Sequence, residues 1–142
     1  MIEKTGDLMD RLTSTENQKE LDGYLEDIKD KYPKDLSSYL NAILTQRGMS
    51  KADAQKKSCI DRTYFYQIMD GSKNPGRDKI IAIAIACEMT LTECQRALEI
   101  AQAGILYPKS RRDSLIIYAL NKKMSVMDLN SLLDEYKFAP LE

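Results

Sequence analysis

Arg62, Thr63, Tyr66 and Gln67 fall within six consecutive positions and carry a guanidinium, a hydroxyl, a phenol and a carboxamide. Together they are an inventory of directional hydrogen-bond donors and acceptors. In the major groove of duplex DNA a guanidinium matches guanine, a carboxamide matches adenine and a hydroxyl serves either. Counting 100° per residue puts the four side chains and Asp70 on one side of a helix and Phe65, Ile68 and Met69 on the other. The first side is the candidate base-edge reader and the second is core. Lys51, Lys56, Lys57, Lys73 and Arg77 surround the segment as candidate phosphate contacts, which would orient a reader without themselves reading sequence.

Other chemistry is poorly supplied. The 142 residues contain no His, no glycine-rich phosphate loop and no GxSxG, so an enzyme is not expected, nor a cofactor. Cys59, Cys87 and Cys94 lack CxxC spacing, which argues against a metal site or a disulfide framework; all three read as small buried apolar residues in a reducing cytoplasm. No run approaches the 18 apolar residues of a membrane span. The 21 basic and 22 acidic residues nearly cancel, but unevenly: residues 1–35 balance at −4, residues 36–79 at +4 and residues 80–142 at −1. The only basic third is the one that holds the candidate reader.

Helices must position these groups. Leu36, Tyr39, Leu40, Ile43 and Leu44 recur at helical spacing, with Gly48 as the stop. The segments MSKADA, MTLTEC and MSVMDL repeat one device: a Met, then a capping Ser50, Thr90 or Ser125, an acidic residue three further on (Asp53, Glu93, Asp128) and an apolar residue after that. Another helix starts near Ser110 and Asp113. The run from Ile80, IIAIAIACEM, is apolar on nearly every face and predicts a central buried helix. Leu8, Met9 and Leu12, then Leu21, Tyr24, Leu25 and Ile28, predict one or two amphipathic helices ended near Tyr32-Pro33. The fold class is therefore all-α.

The residues from Leu36 to about Leu98 resemble the phage-repressor and Cro type of helix-turn-helix domain of bacterial transcriptional regulators. In that likeness Ser50 caps the second helix, Asp61 caps the third and DGSKNP is the turn leaving it; Ile80 to Cys87 is the central helix and TLTECQRAL the fifth. The resemblance implies a five-helix fold, a recognition helix at about 61–70 lying in the major groove, and binding as a homodimer. Three positions depart from the family pattern: Ala54-Gln55 stand where Leu-Ala is usual, and Cys59 where a Gly is. A Gly there serves a position of positive φ, so a turn carrying Cys is expected to be strained or reshaped.

The chain divides on this reading into an N-terminal amphipathic segment (1–34), a helix-turn-helix domain (35–103) and a C-terminal helical hairpin (104–142). In the hairpin Leu115, Ile116, Ala119 and Leu120 should pack on Leu129, Leu132, Leu133 and Tyr136, and its sequence echoes the first two helices of the preceding domain. The apolar stripes of residues 91–136 are the expected dimer interface, Lys109 to Arg112 read as a solvated basic cluster, and Leu141-Glu142 are given no structural weight. Two functions stay open: a cytoplasmic, sequence-specific regulator binding double-stranded DNA, and an all-helical adaptor that keeps the repressor fold but binds a protein through Tyr64, Tyr66 or its acidic N-terminal helices.

Overall fold

The computed structural model describes residues 5–14, 17–29 and 35–142, and all regular structure in them is helical. Two units are distinguishable, Met1–Lys34 and Asp35–Glu142. In the first, α1 (Thr5–Thr13) packs against α2 (Gln18–Lys29), and Met9, Leu12, Leu21 and Leu25 remain exposed. The side chains of Tyr24 and Ile28 and the Tyr32-Pro33 stop lie outside the described residues.

The second unit contains α3 (Leu36–Arg47), α4 (Lys51–Ser58), α5 (Arg62–Asp70), α6 (Arg77–Ala86), α7 (Leu91–Ile100), α8 (Arg111–Lys122) and α9 (Val126–Glu135). Its helix starts follow from single side chains. Ser50, Thr90 and Ser125 accept hydrogen bonds from the N–H groups of Asp53, Glu93 and Asp128, as Asp35, Asp61 and Ser110 do from Ser38, Tyr64 and Asp113. Only Thr90 and Glu93 close the full reciprocal box, because Glu reaches back to the cap N–H.

The repeated Met-Ser/Thr device extends one turn further back than its sequence signature. Before each Met stands a left-handed residue, Gly48, Glu88 or Lys123, and the N–H groups of Met49, Met89 and Met124 bond to the carbonyls of Leu44, Ala84 and Ala119. Each connection is thus a left-handed helix stop fused to a side-chain cap, and it serves the α3–α4, α6–α7 and α8–α9 joints alike.

Helix α6 runs through the middle of this unit. Every residue from Ile80 to Ala86 is buried, because α6 is covered by α4, α7, α8 and α9. A single core takes in Leu40, Phe65, Ile81 and Leu98 together with Ile116, Leu129 and Leu133, so the α8–α9 hairpin packs on the helices before it. Most of the apolar stripe expected to form a dimer interface is therefore consumed inside the chain. Tyr136 is corrected in another way: it lies just past the end of α9 and is exposed.

Two Arg-Asp pairs fasten the hairpin. The Arg77 guanidinium, at the start of α6, donates through Nη1 and Nη2 to both oxygens of Asp113 at 3.0 and 2.7 Å, and further to the carbonyls of Gly104 and Ile105. Reciprocally, Arg112 donates to both oxygens of Asp78 at 3.2 and 3.0 Å and to the carbonyls of Ala139 and Pro140. The supposed basic cluster at 109–112 is thus partly structural. Leu141, discounted in sequence, is half buried, and its N–H donates to Asn130. Arg47 and Glu93 form a further ion pair, joining α3 to α7.

Candidate functional site

Asp61 caps α5 and Gly71 ends it in a left-handed conformation, leaving nine helical residues with two unlike faces. Phe65, Ile68 and Met69 are buried to 2% exposure or less, which fixes the helix to the core. On the other side Arg62, Thr63, Tyr66, Gln67 and Asp70 together line an open depression of about 360 Å³. The four candidate readers are therefore brought together. The Arg62 guanidinium lies 5.6 Å from the centre of the Tyr66 ring, one turn along, and the Tyr66 ring meets Phe65 edge-on at 5.9 Å. Tyr66 so links the exposed cation to the buried anchor. Among the described residues no side-chain hydrogen bond occupies Thr63 or Gln67, and both remain available to a ligand.

The connection preceding α5 keeps the conformation that a Gly would favour. Cys59 sits at φ 60°, ψ 17°, so the turn is strained rather than reshaped. Its neighbours brace it: the Gln55 amide donates to the Ile60 carbonyl at 2.7 Å, the buried Ser58 hydroxyl donates to the Gln55 carbonyl, and the Ile60 N–H donates to that hydroxyl. Gln55, one of the departures from the family pattern, is part of what holds the turn. Ala54 packs fully buried. The Cys59 side chain is exposed, against the expectation of three buried thiols; Cys87 and Cys94 are buried, which pushes them up to about 11 and about 12.

The candidate phosphate contacts line different features. Lys51 opens α4 beside Asp70, whose carboxyl is held below its ordinary value by hydrogen bonds from Ser72 and, to a smaller extent, by Lys51. Lys73 lies in the turn after α5, over a small cavity it shares with Asp35 and Ser37. Lys56 and Lys57 are exposed in the last turn of α4 and line a separate depression with Lys123. Arg77 leaves the phosphate set: with both η nitrogens and Nε bound to Asp113, Gly104 and Ile105, its guanidinium is spent on the fold. Spacing alone could not reveal this, although a second Arg-Asp dipeptide in the first turn of α8 was a signal.

Burial alone would raise the Asp113 carboxyl; the Arg77 hydrogen bonds, the Tyr107 N–H and the charges of Arg77 and Arg112 outweigh it and hold the group below the usual carboxylate range. Among the described residues no group of three or more His, Cys, Asp and Glu side chains gathers to hold a metal, and no helix is long and apolar enough to cross a membrane. Comparison with family models, with curated proteins and with solved structures finds no match to this chain.

Proposed function

We propose that this protein is a sequence-specific DNA-binding transcriptional regulator whose helices α3–α7 act as a repressor-like helix-turn-helix domain, with α5 as the reader of the major groove. The observation that carries this reading is the face of α5, where Arg62, Thr63, Tyr66 and Gln67 converge on one open depression while the opposite face is locked in the core. An anchored helix whose guanidinium, hydroxyl and carboxamide carry no hydrogen bond among the described residues is the equipment that base-edge recognition needs. Lys51 at the start of α4 and Lys73 after α5 are the phosphate contacts that best suit this docking, because each stands at an end of the helix pair. A homodimer would double the contact and set two readers about 34 Å apart, one helical turn.

A protein-binding adaptor is favoured by one specific feature, the Asp61 and Asp70 carboxylates at the two ends of the α5 face, which weaken its attraction for phosphate. Duplex binding across a salt series separates the two. A DNA reader loses affinity steeply as salt rises; Arg62→Ala then narrows the preference among sequences by roughly 1–3 kcal/mol, whereas Lys51→Ala weakens all duplexes alike and lowers the salt slope by about one. Salt-insensitive or absent duplex binding favours the adaptor.

A further inference from the structure

A second depression, of about 290 Å³, opens where α4 ends, α6 ends and α9 begins. Because α6 packs against both α4 and α9, those two helices flank its last turn and form the banks. The floor is apolar: Ile85, Ala86 and Val126 are buried there, Met124 is half buried, and Met127 stands at the edge with 71% of its surface exposed. The rim is cationic. Lys56 and Lys57 rise from the last turn of α4, and Lys123, exposed and left-handed at φ 55°, comes from the α8–α9 connection. Among the described residues none of the three lysines has an ion-pair partner, and Glu88 is the one acid in the lining.

These features together select an occupant. A phosphate backbone offers charge but no aliphatic side chain to insert over the Met124, Val126 and Met127 surface. A small monocarboxylate carries one charge, whereas lysines stand on both banks. An acidic peptide segment supplies both requirements: aliphatic side chains for the floor and several carboxylates for the rim. Methionines at such a surface adapt to the shape of the inserted side chain.

We propose that this groove docks a short acidic segment of a partner protein, which lays one or two aliphatic side chains over Val126 and Met127 and sets its carboxylates against Lys56, Lys57 and Lys123. The surface shares no residue with the α5 depression, so it adds a protein partner without depending on what α5 binds.

The test uses the full chain and three labelled synthetic helical peptides: one rich in Glu with two leucines four residues apart, one with those leucines changed to Ser, and one with its Glu changed to Gln. Saturable binding of the first alone is expected, with NMR shifts concentrated on the methyl groups of Ile85, Val126, Met124 and Met127. Lys123→Glu and Met127→Glu, both at exposed positions, should each weaken it at least fivefold while far-UV circular dichroism stays unchanged. The proposal is overturned if no peptide binds up to about 1 mM, if the leucine-free or Glu-free peptide binds equally well, or if the shifts fall elsewhere. It is overturned equally if Lys123→Glu leaves the first peptide unaffected but weakens duplex DNA, which would make the groove part of a nucleic-acid surface. Narrowed sequence preference in Arg62→Ala with peptide binding intact keeps the two readings separate.

Discussion

Replacing Arg77 with Ala separates a structural arginine from a phosphate-binding one. Asp113 is only 9% exposed and its carboxylate takes two hydrogen bonds from Arg77, whose own side chain is 27% exposed. Removing the guanidinium leaves that carboxylate with the Tyr107 N–H and the neighbouring charge of Arg112. Breaking a fully buried pair costs about 3–5 kcal/mol. The partial exposure of Arg77, and access of water to the Gly104 and Ile105 carbonyls, bring the expected loss to about 2–3 kcal/mol. At about 4 °C per kcal/mol for a unit of this size, the melting temperature should fall by about 8–12 °C. Thermal and urea unfolding at pH 7, followed by circular dichroism, measure it. Because Asp113→Asn removes the charge that Arg77 answers, the double variant should lose about 1–2 kcal/mol less than the two single losses added. At a temperature where Arg77→Ala is folded, its salt slope for duplex binding should equal that of the parent. An unchanged melting temperature, or a salt slope reduced by about one unit, would refute the assignment of Arg77 to the fold.

Cys59→Gly should stabilise the chain by about 0.5–1 kcal/mol, since the relief of a left-handed non-glycine conformation exceeds the added freedom of the unfolded chain; Cys59→Ala should change stability by less than about 0.5 kcal/mol, and denaturant midpoints of both variants check the contrast. Asp113 and Glu93 both have folded pKa values lowered below their unfolded ones, despite burial that acts to raise them, because Arg77 and Arg47 respectively hold their charged forms. Their stabilisation is therefore complete above about pH 4–5 and lost as pH falls through the lower folded values, and a pH series of unfolding free energies should show a shallower acid-side decline in Arg77→Ala than in the parent.

What could be read from the chain was what local rules determine. Ser50, Thr90 and Ser125 announced their helices because a cap needs only a hydroxyl and a backbone N–H three residues on, and the run Ile80–Ala86 announced burial because no face of it could meet water. The division of α5 into a core face and an open face followed from its period alone. Relations between distant segments were hidden. Arg77 and Asp113 meet across 36 positions, so a cation placed among lysines in the sequence looked like one more surface charge. Lys123 joins Lys56 and Lys57 only because α4 and α9 flank α6, and Tyr136 left the hairpin stripe because α9 ends before it. Cys59 was misread as buried: its position in a turn ruled its backbone conformation but not the direction of its side chain.

Selection of bound sequences from a pool of random duplexes, with the parent and with Arg62→Ala in parallel, tests whether the α5 face touches base edges. The parent should enrich one short motif, with a guanine whose preference is lost in Arg62→Ala while the flanking preferences survive. A pool that stays random with the parent, or a motif that Arg62→Ala selects unchanged, would contradict it.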